Sequence, residues 1–308
     1  MFDPSHLAAL SAILRSGSFE RAASELGLTQ SAVSQRIRLL EEQVGTPLVI
    51  RAQPCRATEA GGRVFRHAEE LRLLEQELRT DLGMEMNASG MSATGQGDDP
   101  RGWPTVRLAV NADSLATWFL PSLARAGNLL FDLVVDDQDH SADWLKRGEV
   151  RAAISSAPKP VQGCDCRPLG ALRYVATASP EFCRRWFGDE GVTATALTRA
   201  PILTFNAKDR LQIRWAEQAF GTTAIGPSHW LPSSQAFVDA AAAGLGWGMN
   251  PEVLAAPALA DGRLVLLNQD CPLDVPLYWH VSRSVQRLMR PVTEAVQEAA
   301  RQSLLPIA

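Results

Sequence analysis

The residues of this chain best suited to specific chemistry form a polar set at helical spacing: Gln30, Ser31, Ser34, Gln35 and Arg38. At 3.6 residues per turn, Ser31, Ser34, Gln35 and Arg38 share one stripe, with Gln30 near the helix start. Val33, Ile37 and Leu40 share the opposite stripe. An amide pairs bidentately with adenine, a guanidinium with guanine, and a hydroxyl adapts to either base edge. No acid interrupts the polar stripe before Glu41. This is chemistry of recognition, not of bond-making. The elements that must position it are legible nearby. Ala22 and Ala23 let another helix approach closely, Leu26 anchors, and Gly27 suits a helix end that needs a left-handed backbone. Thr29 can cap the helix that follows. The pattern is a helix-turn-helix with its recognition helix over residues 29–41. An ordinary amphipathic surface hairpin would show the same two faces.

Charge separates these readings. The chain of 308 residues carries a net −4, which argues against indiscriminate affinity for nucleic acid. Basicity is local: Arg36 and Arg38 lie on the recognition helix, and Arg51, Arg56, Arg63 and Arg66 follow it. Any one of these could be a solvated surface charge, whereas the cluster suits phosphates. A hydrophobic content of 46% and a charged content of 21% predict a soluble globular protein of two or three folding units. No apolar run reaches membrane-spanning length, and Met1 leads almost at once into a helix opened by Asp3-Pro4. A cytoplasmic protein without a signal peptide is expected.

Other chemistry has little to stand on. The five cysteines are scattered, and the one close pair, Cys164 and Cys166, has neither a second pair nor a histidine nearby. Reduced thiols are expected, with no metal and no cofactor. The five histidines form no triad. The run Gly244-Leu245-Gly246-Trp247-Gly248 follows a helix and precedes a strand, the reverse of a dinucleotide loop. The chain is not expected to be an enzyme.

Along the chain, Leu7, Leu10, Ile13 and Leu14 predict a first helix ended by Gly17. After the recognition helix, Leu48, Val49 and Ile50 make a short strand that returns through Arg56, Ala57 and Thr58 as a wing. A helix over 58–82 carries Val64, Ala68, Leu71, Leu74, Leu78 and Leu82 as one narrow seam with charged flanks. Such a seam suits pairing with another helix, although packing on the chain's own body is the alternative. Residues 83–104, rich in Gly, Ser, Asn and Asp, read as a flexible connector. Strand and helix patterns then alternate: a strand at 106–110, a helix at 114–126, strands at 131–135, 151–155, 172–178 and 201–205, and helices at 211–220 and 234–243. Trp247 falls in the next strand. A late strand at 278–282 and a helix at 284–303 complete the pattern. This alternation predicts parallel sheets covered by helices.

The runs FERAASELGLTQSAVSQRIRLLEEQVGTPLVIR and ATEAG resemble the N-terminal domain of LysR-type transcriptional regulators. The resemblance implies an α/β protein. A winged helix-turn-helix (1–60) and a dimerising linker helix (61–82) would precede the connector (83–104). A two-lobed, periplasmic-binding-protein-like, doubly wound effector domain would follow, with lobe I at 105–170 and 278–308 and lobe II at 171–277. It implies contact of Thr29, Gln30, Ser31, Ser34, Gln35, Arg36 and Arg38 with double-stranded DNA, and of the wing residues Arg51 and Arg56 with its backbone. RNA polymerase and a second or fourth copy of the chain (homodimer or homotetramer) would be partners. AVNADSLATWFLP, RGEV, LGAL, SSQAFV and LYWH are similar to the ArgP/LysG subgroup, sensors of lysine and arginine that control a basic amino-acid exporter. The resemblance thins at 83–104 and at 125–130.

Ligands of doubly wound sheets sit at the carboxyl ends of strands. Three loops qualify: Asn111 to Ser114, Asp136 to Asp139, and Asn206 to Asp209, with Ser233 and Ser234 nearby. Ser114, Ser233 and Ser234 suit an α-carboxylate, and Asp113, Asp136 and above all Asp137 suit a cationic side chain. Asp136, Asp137 and Asp139 would also suit a solvated acidic loop. Gln138 and Asn206 stand where the subgroup leads one to expect acids. A regulator with another effector, or a solute-binding protein without a DNA role, are the alternatives.

Overall fold

The computed structural model describes residues 1–81, 105–127, 129–136 and 141–307. They form two compact units. One is Met1–Val106 with Asn128–Phe131 and Arg283–Met289; the other is Arg107–Gly127 with Asp132–Ser282 and Arg290–Ala308.

In the N-terminal unit each helix is opened by a side chain that closes an orphan backbone N–H. Asp3 Oδ1 accepts from Ser5 N (2.7 Å) at the start of α1 (Pro4–Ser16). Ser18 accepts from Arg21 N (3.4 Å) ahead of α2 (Phe19–Glu25). Thr29 accepts from Ala32 N (3.2 Å) ahead of α3 (Gln30–Val44). Helix α3 runs almost a turn past the expected 41, because its stop is Gly45, at φ 80°. The wing pairs β1 (Val49–Ile50) with β2 (Arg56–Ala57), antiparallel, Val49 opposite Ala57. Thr58 then caps α4 (Glu59–Asp81) by accepting from Gly61 N (2.9 Å). Gly61 is required here: a Cβ would stand 1.8 Å from the Leu48 carbonyl oxygen.

Val33, Ile37 and Leu40 are buried with Leu10, Ile13, Ala22 and Leu48 in one core, each of the larger aliphatic side chains worth about 1.5–3 kcal/mol of burial. The α4 seam divides. Val64 and Ala68 belong to this same core, so for them the alternative of packing on the chain's own body holds. Leu71, Leu74 and Leu78 are 38–57% exposed. Leu82 and the connector lie outside the described residues.

The second unit opens with β3 (Thr105–Val110), α5 (Ala112–Ser114), a π-helical turn at Leu115–Phe119 and α6 (Leu120–Ala124). The sequence pattern placed this helix two residues later and unbroken. Then come β4 (Leu130–Val135), α7 (Ser141–Lys146), β5 (Ala152–Ser155), β6 (Cys164–Ala178), α8 (Pro180–Trp186) and α9 (Ala194–Leu197). Next are β7 (Ile202–Thr204), α10 (Leu211–Phe220), β8 (Ser228–Trp230), α11 (Ser234–Ala242) and β9 (Gly248–Pro251). Last are α12 (Glu252–Ala260), β10 (Val265–Leu266), β11 (Leu273–Ser282) and α13 (Arg290–Ser303). Trp247 forms an isolated parallel bridge to Ile202, just before β9.

One seven-stranded sheet runs β10-β6-β11-β5-β3-β4, with β9 also paired to β6. The expected parallel pairing is found between β3 and β5, and separately between β7 and β8. The long strands β6 and β11 are antiparallel to each other, β11 is antiparallel to β5, and β6 to β9 and β10. The sheet is therefore mixed. Both long strands exceed their expected spans because their first halves contain Cys-Asp-Cys-Arg-Pro and Asp274 with Pro276, which read as loop. A fork of two hydrogen bonds from Arg173 to Asp274, both 2.8 Å, ties the first half of β11 to the second half of β6. A bulge falls between Leu277 and Tyr278, with Leu277 opposite Gly170. A Cβ at Gly170 (φ 139°) would meet Leu304 Cβ and Leu305 O at 2.7 Å, so the bend admits only glycine. The final helix starts at Arg290, later than expected, where Pro291 suits a helix's first turn.

Candidate functional site

Two regions gather the residues singled out in the sequence. On α3, Gln30, Ser31, Gln35 and Arg38 are exposed, and Ser34 and Arg36 are half-buried. Thr29 is spent on the helix cap and bonds the Ser31 hydroxyl (3.0 Å). Glu41, the first acid of the polar stripe, is turned away: its Oε1 accepts from Leu48 N (2.7 Å) and Val49 N (3.3 Å) and holds the wing. Arg38 pairs with Glu42 at 2.9 Å, both well exposed, so water or a phosphate can replace the partner at little cost. Arg51 stacks on the Phe19 ring at 4.8 Å. Arg51, Gln30 and the exposed Arg21 line one open concavity between the start of α2 and the wing. Arg21 belongs with the basic set but escaped notice, because it precedes the recognition helix and the run of wing arginines. Arg56 is exposed on β2.

In the second unit the ends of β3, β4, β7 and β9 converge on a cleft. It is lined by Asn111, Asp113, Asp136, Asp209, Ser234 and Asn250, with Phe205, Leu211, Phe237 and Met249 as apolar wall. Its empty space is about 470 Å³, counting the open mouth. Three carboxylates face it, and each is held differently.

Asp113 is half-buried and accepts from the Tyr174 hydroxyl at 2.6 Å. Burial pushes its carboxyl up, the Ser234 and Tyr174 hydroxyls pull it back, and the nearby charge of Asp209 pushes it up again. The Ser234 hydroxyl approaches Asp113 without closing a hydrogen bond of full geometry. Asp209 is fixed by its own loop, accepting from Phe205 N (2.9 Å), Leu211 N (3.0 Å) and Gln212 Nε2 (3.2 Å). Asp136, at the end of β4, accepts from Trp144 Nε1 (2.9 Å) and pairs with Lys208 Nζ (3.2 Å).

Buried polar atoms stand open around these acids. Asn111 occupies the N-cap position of α5 yet makes no cap bond, and both its side-chain oxygen and nitrogen lack a partner. Asn250 donates to Thr177 Oγ1 (2.9 Å), but its Oδ1 is unpaired, as is the Ser114 hydroxyl. A buried unpaired polar group costs about 1–3 kcal/mol. Several around one cleft mark a place kept for a polar ligand. The adjoining π-helical turn fits that reading, since such turns recur at functional sites.

Of the expected effector residues, Asp113, Asp136 and Ser234 line the cleft together. Ser114 is buried in the first turn of α5. Ser233 caps α11 by accepting from Ala236 N (3.4 Å). Asn206 does not line it: its Oδ1 accepts from Lys208 N (2.7 Å) and Asp209 N (3.2 Å) and builds the loop. An amide does this as well as an acid would, so Asn206 removes no charge from the cleft. Asp137 and Gln138 lie outside the described residues. Asn111, Asp209 and Asn250 were missed as site residues. Asn111 stood in a right loop but is neither an acid nor a hydroxyl, Asp209 was an acid of a right loop passed over for Asn206, and Asn250 gave no signal beyond ending an apolar strand.

Residues 4–62 match the family of bacterial regulatory helix-turn-helix proteins, lysR family. Residues 101–304 match the LysR substrate binding domain. The chain is 43% identical to the HTH-type transcriptional regulator LysG of Mycobacterium tuberculosis over 298 residues, 97% of this chain and 93% of the relative. Its fold is similar to the crystal structure of ArgP from Mycobacterium tuberculosis, with a TM-score of 0.81 and 41% identity over 100% of both chains. It is also similar to full-length LysG from Corynebacterium glutamicum with bound effector Arg, with a TM-score of 0.68 and 34% identity over 99% of this chain and 100% of that one.

Proposed function

The chain belongs to the LysR family of transcriptional regulators, of the LysG/ArgP type, and we propose that a basic amino acid, lysine or arginine, is its effector. The observation that carries this is the convergence of Asp113, Asp136 and Asp209 with the open amides of Asn111 and Asn250 on one cleft. A zwitterion with a cationic side chain carries two positive groups and one negative, so its net charge suits an acidic cleft. The amides and the Ser234 hydroxyl can take the carboxylate and whatever donors remain. A relative of this chain was solved with arginine bound.

On the DNA side, Gln30, Ser31, Ser34, Gln35 and Arg38 read base edges, while Arg36, Arg51 and Arg56 hold phosphates. The exposed Leu71, Leu74 and Leu78 pair two copies, which would present two reading heads to a roughly palindromic operator. Such a protein works in the cytoplasm, with RNA polymerase as partner and an exporter gene for basic amino acids as the target that chemistry suggests. The test is a gel shift with promoter DNA and calorimetry on the full chain, using lysine, arginine and citrulline. Lysine or arginine should bind and change the DNA complex. Citrulline, arginine's neutral analogue, should bind at least tenfold more weakly; equal citrulline affinity would sink the cation argument.

A further inference from the structure

Asn111 and Asn250 both line the cleft with a buried amide, but only one of the two is held by a neighbour. Among the described residues the Asn111 amide has a partner for neither its oxygen nor its nitrogen. Its hydrogen bonding leaves open which end meets a ligand. Asn250 is different. It lies on β9 opposite Val175 of β6, while Thr177 of β6 lies opposite Gly248. On paired antiparallel strands this offset sets Thr177 and Asn250 as diagonal neighbours on one face. Asn250 Nδ2 donates to Thr177 Oγ1 at 2.9 Å, and both residues are fully buried. Asn250 Oδ1 has no partner among the described residues. The same face is kept close by Gly248, where a Cβ would stand 2.4 Å from Cε1 of Phe237, part of the cleft's apolar wall. Thr177 itself stands behind the cleft lining.

We propose that Thr177 is a positioning residue for effector recognition: it ties up the nitrogen end of Asn250, so that Asn250 offers the effector an acceptor, which takes a cationic N–H. The proposal rests on the effector reading above and divides its cleft. An amide oxygen turns away a carboxylate and suits the two donors of a basic amino acid, its α-ammonium and its side-chain cation. The carboxylate is then left to the donors of Asn111 and Ser234. Because Thr177 is wholly buried, water does not replace its hydroxyl. Removing that hydroxyl frees the amide to turn its nitrogen outward, where it repels the same cation.

The test is calorimetry of full-length chains, starting from Thr177→Val, which keeps the branched shape in the strand and removes the hydroxyl. Lysine and arginine should bind this variant about tenfold more weakly, the low end of what a hydrogen bond to a charged group is worth. Thr177→Ser keeps the hydroxyl and should bind near the wild-type level. In an Asn250→Leu background, Thr177→Val should cost lysine affinity nothing more, because the amide that it positions is gone. Lysine analogues then identify the group that is met. The loss should vanish for ε-aminocaproate, which lacks the α-ammonium, or for norleucine, which lacks the side-chain ammonium. A loss that vanished instead for cadaverine, which lacks the carboxylate, would mean that the amide meets the carboxylate and would overturn the proposal. Unchanged lysine binding by Thr177→Val would overturn it as well. So would a loss of equal size in the Asn250→Leu background, the mark of a purely structural role. If the wild-type chain bound neither lysine nor arginine, the effector reading itself would fall; if it bound them and the Thr177 variants behaved like it, this proposal alone would.

Discussion

The reading head and the effector cleft treat the polar side chains at their helix starts differently. In the head, Asp3, Ser18, Thr29 and Thr58 each close the orphan N–H of a helix start, and Glu41 closes two more in the wing. In the cleft, Asn111 takes the same position ahead of α5 and caps nothing. Asn250 Oδ1 is likewise buried and unpaired. The head offers an exposed polar face to a partner that comes from outside. The cleft turns buried polar atoms toward a space that something small can enter. Closed helix starts build a platform; unpartnered polar atoms around a cleft build a sensor.

The largest effect should come from the one part of the head's own seam that is left uncovered. Leu71→Asp with Leu78→Asp puts two carboxylates where a second helix would exclude water, at a cost of several kcal/mol. Loss of dimers in sedimentation and loss of operator binding are expected, while lysine binding survives. Unchanged sedimentation would mean that this stripe, like Val64 and Ala68, has a place within its own chain.

Next in size is the cleft. Asp113→Asn removes a half-buried charge that a cationic ligand would meet, which should weaken lysine binding by about 2–5 kcal/mol and leave DNA affinity intact. The wild-type response also has a pH sign. The Asp113 carboxyl is raised above its ordinary value of 3.8, chiefly by burial, so in mild acid part of the population carries a proton there. A cation must expel that proton. Lysine affinity should therefore rise with pH through the acidic range and level off above the raised value, with proton release visible as a buffer-dependent heat. A flat profile, or tighter binding in acid, would take Asp113 out of cation recognition.

Smaller effects should divide the head. Gln35→Ala should relax base preference at one operator position by about 1–3 kcal/mol. Arg51→Ala should weaken all DNA alike and lower the salt slope by about one. Binding curves on operator and scrambled DNA at two salt concentrations would separate these. Equal loss of specificity in both variants would end the distinction between reading helix and wing.

The same contrast explains what the sequence made legible. Ala22, Ala23, Gly27, Thr29 and the Val33, Ile37, Leu40 stripe act through local rules, and the head follows them residue by residue. Its recognition helix was underestimated only because Gly45 was read as a break after an earlier end. In the sensor, strand ends pointed to the right loops, since Asp113, Asp136 and the 206–209 loop all border the cleft or build it. The long antiparallel strands β6 and β11 stayed hidden, as their pairing is set by partners over a hundred residues apart, Arg173 and Asp274 among them. Helix α12, with Pro257 inside it, lacks the periodicity that would reveal it. Asn250 became visible only when β9 brought it to the cleft that Asn111 also lines. Vacancy has no local signature: an asparagine that caps and one that waits for a ligand read alike.

The last contrast changes sign between the two regions, and its cleft half is the smallest effect expected. In the head, Ile37→Ala empties a packed core and should destabilise by about 2–5 kcal/mol. In the cleft, Asp113→Asn should stabilise the ligand-free chain, by about 1 kcal/mol, because the amide keeps the Tyr174 hydroxyl as donor but sheds the half-buried charge. The gain must depend on pH. With the folded-state value raised, Asp113 is harmless below its ordinary value of 3.8, where both folded and unfolded chains are protonated. Its cost grows as pH climbs from there to the raised folded value, above which it is constant. Urea unfolding should therefore show the variant ahead of wild type at pH 7.5 and level with it near pH 3.5, provided both unfold cooperatively. A variant less stable than wild type at pH 7.5 would mean that the ligand-free cleft already satisfies the Asp113 carboxylate, and that the vacancy lies in its amides alone.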